Sequence, residues 1–387
     1  MRSLLFILMI LPLQLLVKAQ PQTGAEQMNE YLPLLKGRRV AILTNYTALV
    51  NGTNVVDTLV KRGVHIVKIF SPEHGFRGDA DAGATVGNQV DPQTGIAIVS
   101  LYGSKRKPSV EDLQDVDVLL YDIQDVGVRF YTYPASLQRY MEAAVENHRP
   151  LIILDRPDPN GRYVDGPVLD TAFRSFVGMQ PIPVVYGMTI GEYARMLLGE
   201  GWVSGGQAFT LTVIRCRNYT HHSKYTLPVK PSPNLPNMQS VYLYPSLCFF
   251  EGTAISLGRG TEKAFQQFGA PQLPHDLYAF TPRSVPGATN PPHLGEVCYG
   301  YDLSGIDVAR ETGDKMSLKW LLQAYRSFPD KDHFFNGNGS QFDRLAGSSV
   351  LRKQMHDGLS EDAIRQSWEP ALEQFKTIRK KYLLYAE

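Results

Sequence analysis

The chain has 387 residues, enough for two domains and a sizeable core. Hydrophobic residues make up 43% and charged residues 20%, which is ordinary for a globular protein. The formal net charge is +1, and no lysine or arginine run rises above a solvated surface, so neither nucleic acid nor an anionic membrane is an expected partner.

The chain opens with "MRSLLFILMILPLQLLVKAQ". Arg2 precedes an apolar core from Leu4 to Val17, and small Ala19 follows it. This reads as a secretory signal peptide over residues 1–19. The core is short and interrupted by Pro12 and Gln14, unlike a comfortable membrane-spanning helix. The mature chain is expected to start near Gln20, to be exported to the periplasm or outside a bacterial cell, and to have no stable membrane insertion. Its three cysteines, Cys216, Cys248 and Cys298, allow at most one disulfide and fit no zinc spacing.

Short apolar runs and helical patterns then alternate. "RVAILTN" (Arg39–Asn45) reads as a buried strand, and "NVVDTLVKRG" (Asn54–Gly63) as a helix stopped by glycine. "VHIVKIF" (Val64–Phe70) and "IAIVSLY" (Ile96–Tyr102) are further strands. "SVEDLQDV" (Ser109–Val116) starts a helix with a serine cap, and "VDVLLYDI" (Val116–Ile123) is a strand. A helix with proline in its first turn (Pro134–His148) leads to the strand "PLIILDRP" (Pro150–Pro157). A capped helix (Thr189–Gly201) leads to the strand "FTLTVIRC" (Phe209–Cys216). Strand–helix alternation predicts an α/β fold with a mostly parallel sheet covered on both faces. Proline density rises in "VKPSPNLPN" (Val229–Asn237), which places a domain boundary there: 20–236 as the catalytic domain, 237–387 as a smaller mixed α+β domain closing the cleft. The helical C-terminus, Ser360–Tyr385, is amphipathic with one interruption at Pro370.

In such sheets ligands meet the carboxyl ends of the strands. Here three strand ends deliver Glu73-His74, then Asp122, Gln124, Asp125 and Arg129, then Asp155-Arg156 to one edge. The first of these loops, "SPEHGFRGDADAG", sets Glu73, His74 and Arg77 among glycines that let a backbone approach a ligand, with Asp79 and Asp81 shaping the loop around Gly78 and Gly83. The turn after the first strand lacks G-x-G-x-x-G, and no G-x-x-x-x-G-K-[ST] occurs, which removes the main evidence for a nucleotide cofactor. Glu73-His74 do not form a zinc helix motif, and no G-x-S-x-G appears, so neither a metal nor a serine nucleophile is expected. Carboxylate chemistry remains. Acids can break a glycosidic bond, the rings of Tyr131 and Tyr133 can stack on a pyranose, and arginine can grip a carboxylate.

The stretches "SPEHGFRGDADAG", "YDIQDVGVRFYTY", "LDRPDPNG", "SFVGMQPIPVVYGMTIGE" and "EGTAISLGRGTEKAFQQFGAP" together resemble the NamZ-type exo-β-N-acetylmuramidases, over essentially the whole mature chain. The resemblance implies a Rossmann-like N-terminal domain, a smaller C-terminal domain, no cofactor, and release of N-acetylmuramic acid from the non-reducing end of peptidoglycan-derived saccharides. It makes Glu73 the general acid. Asp122 or Asp125 is then the second carboxylate, as base or as the group orienting the 2-acetamido for intramolecular attack. Arg129, Arg156 or Arg259 would hold the lactyl carboxylate. Asn45, His74, Arg77, Tyr131, Tyr133, Asp155, Asn234 and Glu251 complete the expected binding set. Two other readings stay open: a muropeptide- or sugar-binding protein without turnover, and a cofactor-dependent sugar oxidoreductase.

Overall fold

The computed structural model describes residues 19–77 and 89–387. The signal peptide read over 1–19, but for its last residue, lies outside the described residues, as do Asp79 and Asp81 with Gly78 and Gly83.

Seven strands form the central sheet: β1 (Val40–Thr44), β2 (Ile66–Ser71), β3 (Gln89–Val90), β4 (Ala97–Ser100), β5 (Val118–Asp122), β6 (Leu151–Leu154) and β7 (Leu211–Ile214). Their spatial order is β3-β4-β2-β1-β5-β6-β7. All neighbours are parallel except the short edge pair β3–β4, which is antiparallel. β3 is two exposed residues long, too short to leave a periodic signal in the sequence. Five of the other six strands fall inside the predicted runs, and β2 extends one residue past its run, to Ser71. Every residue of β1, β5 and β6 is buried, which is why they read as continuous apolar stretches rather than alternating ones.

Helices bury both faces. Side chains alternate across the sheet: Ala41, Leu43, Phe70, Leu119, Tyr121 and Ile153 enter one core, and Val40, Ile42, Ile69, Val118, Leu120 and Ile152 the other. The helices start where their caps predict. Asn54 accepts from the Val56 N–H, and Thr189 and Glu192 form a reciprocal capping box.

After Asn237 the chain builds the helix Met238–Leu247, a three-stranded antiparallel sheet in the order Gln267–Ala270, Cys298–Asp302, Tyr278–Phe280, and a run of helices ending with Glu361–Arg379. The first of the two cores continues unbroken into this region, through Phe250, Phe268, Leu321, Phe342 and Trp368. The two regions therefore share packed apolar surface rather than a polar seam. The chain then turns back, and the backbone N–H of Leu384 donates to Glu192. Cys216, Cys248 and Cys298 are all buried and unpaired. Among the described residues no helix is long and apolar enough to cross a membrane.

Strand order reverses at β1, whose neighbours β2 and β5 lead away in opposite directions. A crevice therefore opens outside the carboxyl ends of these strands.

Candidate active site

A cavity of about 300 Å³ occupies this crevice. β2 ends at Ser71, Pro72 follows, and the Gly75 N–H closes a turn onto the Pro72 carbonyl. His74 and Gly75 both take positive φ, 69° and 73°, a conformation uncommon for histidine. This tight turn aims Glu73 into the cavity, where it meets the Thr132 hydroxyl at 2.9 Å and the hydroxyl of Tyr102. His74 lies beside it, Nε2 at 3.4 Å from Ser232 Oγ.

Tyr131 and Tyr133 stand edge to face with centroids 4.7 Å apart, and Tyr244 and Phe265 extend the aromatic wall. The Tyr131 hydroxyl donates to the Pro231 carbonyl at 2.7 Å. Asn234 is anchored through its amide on the Gly287 carbonyl. The remaining charges come from beyond the helix at Met238: Glu251 is ion-paired with Arg259, whose guanidinium lies over the Phe265 ring at 5.1 Å. Of the expected residues, then, Glu73, His74, Tyr131, Tyr133, Asn234, Glu251 and Arg259 line one cavity.

The others do not, and each has a physical reason. Asp122 is fully buried and held by Arg156, at 2.5 Å from Nε and 2.9 Å from Nη2. Neither is free to act as a second carboxylate or to grip a lactyl group. Asp125 does not line the cavity; it accepts from the Gly127 N–H at 2.8 Å and from the Tyr186 hydroxyl. Arg129 donates to the carbonyls of Pro167, Ile182 and Leu345, at 2.7, 2.8 and 2.7 Å, and so ties a loop of the sheet domain to a C-terminal helix. Asp155 accepts from Thr189, Gly191 and the hydroxyl of Tyr385, which docks the chain terminus. Arg77 spans Asp57 and Asp91, at 3.3 and 2.9 Å. Asn45 supports the wall from behind, donating to the Tyr133 hydroxyl at 2.8 Å.

Residue reading passed over Tyr102 and Thr132. Tyr102 follows the end of β4, on the edge that the strand-end rule selects, and Thr132 sits inside the quoted stretch "YDIQDVGVRFYTY". Both are neutral hydroxyls, and a search for charge passes them by.

Burial pushes Asp125 up to about 6, against the pull of its two donors. The folded protein thus holds this proton more tightly than the unfolded chain. The stability it contributes is complete below the ordinary aspartate pKa of about 4 and is lost as pH rises through about 6. A rise of this size is worth at most about 3 kcal/mol. Asp125→Asn should therefore flatten the fall in melting temperature between pH 4 and 7. Parallel pH profiles for the two proteins would mean that Asp125 is ionised in the fold.

Two family models cover the chain: the N-terminal domain of the exo-β-N-acetylmuramidase NamZ over residues 40–239, and its C-terminal domain over residues 242–385. The chain belongs to the NamZ family. The peptidoglycan β-N-acetylmuramidase NamZ of Bacillus subtilis (strain 168) is 39% identical, across 95% of this chain and 92% of the relative. Two crystal structures of DUF1343 family proteins from Bacteroides fragilis NCTC 9343 share the fold. One superposes with a TM-score of 0.88 at 46% identity, covering 95% of this chain and all of the other. The second gives 0.81 at 29% identity, covering 94% and 99%. In this NamZ family member both matched regions contribute to the cavity. Glu73, Tyr102, Thr132 and Asn234 come from the first, and Tyr244, Glu251 and Arg259 from the second.

Proposed function

We propose that the protein is an exo-acting glycoside hydrolase that releases N-acetylmuramic acid from the non-reducing end of peptidoglycan fragments, in cell-wall turnover. The observation that carries this reading is that Glu73 and Glu251, from separate regions of the chain, line one aromatic-walled cavity of small-ligand size. The name of the Bacillus subtilis relative supports it.

The partners of the two acids suggest a division of labour. Glu73 meets hydroxyls, which can donate to a carboxylate or accept from a carboxylic acid. Such neighbours tolerate both protonation states, as a group that gives its proton to the glycosidic oxygen requires. Glu251 instead accepts from Arg259, which can only donate. It would activate water or orient the 2-acetamido group. Tyr131 and Tyr133 offer ring surfaces for the sugar. The leader sequence supports export, so that the enzyme would meet wall fragments in the periplasm or outside the cell.

The test is a defined disaccharide with a terminal β-linked N-acetylmuramic acid, followed by NMR from the first minutes. Free N-acetylmuramic acid should appear. Its first anomer decides the chemistry: α means inversion with Glu251 as base, and β means retention with the acetamido as nucleophile. Tight binding without release would leave a binding protein in place of an enzyme.

A further inference from the structure

A separate cavity, of about 450 Å³, lies at the C-terminal end of the helix Glu361–Arg379 and shares no lining residue with the candidate active site. Arg379, the last residue of that helix, lines it, with a side chain only 4% exposed. Its Nε and Nη2 both donate to the Gly187 carbonyl, at 2.8 and 2.6 Å, and its Nη1 donates to the Glu387 carboxylate. The pair is lopsided, because the Glu387 side chain is 50% exposed. A buried cation needs an anion beside it, whereas a half-exposed carboxylate loses little on returning to water. An anion from solution that reaches Arg379 can therefore take the place of Glu387.

The surroundings favour such an anion. Glu387 is held below its ordinary carboxylate value, first by its hydrogen bond to Arg379, with His221 and Lys380 adding their pull. Lys380 lines the cavity, is exposed, and forms no ion pair among the described residues. The other lining cations are engaged: Arg162 with Asp314, and Lys376 with Glu373 at 2.7 Å. His221 is buried, with Nε2 at 3.1 Å from Glu192 Oε1, and its Nδ1 has no hydrogen-bond partner. A phosphate group matches this set. It brings anionic oxygens for Arg379, enough charge to engage Lys380 as well and, when singly protonated, a hydroxyl that the imidazole can accept from. The cavity exceeds what four oxygens fill, so a small polyol attached to the phosphate also has room.

We propose that this cavity is an exchangeable anion site that takes a phosphate group, free or as the monoester of a small polyol, on Arg379 and Lys380 in place of the Glu387 side chain. The site stands independently of the muramidase reading.

The experiment is titration calorimetry at neutral pH and low salt, with inorganic phosphate, glucose 6-phosphate and glucose as probes. Both phosphate probes should bind, and glucose should not. Binding of inorganic phosphate without glucose 6-phosphate would support the site and restrict it to the free ion. Glu387→Gln removes the competing carboxylate at an exposed position and should tighten phosphate binding by about tenfold, as when a site closed nine-tenths of the time is opened. Lys380→Glu, also exposed, should weaken it by about tenfold or more. No binding of either phosphate probe by the wild type and by Glu387→Gln overturns the proposal. So does an affinity that Glu387→Gln leaves unchanged or lowers, one that Lys380→Glu does not reduce, or equal binding of glucose.

Discussion

Glu73→Gln should lower turnover of an unactivated disaccharide by about a thousandfold, with little change in melting temperature. General acid catalysis contributes roughly 10²–10⁴-fold, and a natural sugar leaving group needs its proton. The amide is nearly isosteric and keeps an oxygen for the hydroxyls of Thr132 and Tyr102, so the turn after β2 should hold. An aryl glycoside, whose leaving group departs without protonation, should lose far less. Near-wild-type turnover of the unactivated disaccharide would remove Glu73 from the acid's role.

The second large effect is on stability. Arg156→Met leaves Asp122 fully buried and without its partner. Breaking a buried pair in this way costs about 3–5 kcal/mol, which denaturant unfolding would register plainly. Replacing both members by apolar residues of similar size, as in Asp122→Leu with Arg156→Met, is often close to neutral. The double variant should therefore recover much of the loss. Its activity separates two roles for Asp122. Turnover should return with stability, because the pair lies outside the cavity; a well-folded but inactive double variant would restore Asp122 as a catalytic carboxylate.

Much of the scaffold was legible in the chain. β1, β5 and β6 are buried on both faces and so appear as unbroken apolar runs, while Thr189 with Glu192 and Asn54 mark helix starts by local hydrogen bonds. These signals involve residues within a few positions of one another. β3, two exposed residues at the sheet's edge, has no such signal and was not foreseen. The strand-end rule also led to the edge where the aromatic-walled cavity lies, and on it to Glu73.

That rule does not say which way a side chain turns once it has reached the edge. Asp122, Asp125 and Asp155 look equivalent to Glu73 in sequence, yet each folds inward to a partner elsewhere: Arg156, Tyr186, and Thr189 with Tyr385. Arg129 likewise satisfies three distant carbonyls instead of a substrate. Once buried, a charge must find donors or acceptors wherever packing brings them, and sequence spacing carries no record of that. By itself, then, the sequence determined the mostly parallel α/β sheet and the edge at which Glu73 enters a cavity, because these rest on local periodicity and strand polarity. Only the tertiary structure brought Glu251 with Arg259 into the cavity beside Glu73, because they reach it from a region packed onto the sheet through a shared core.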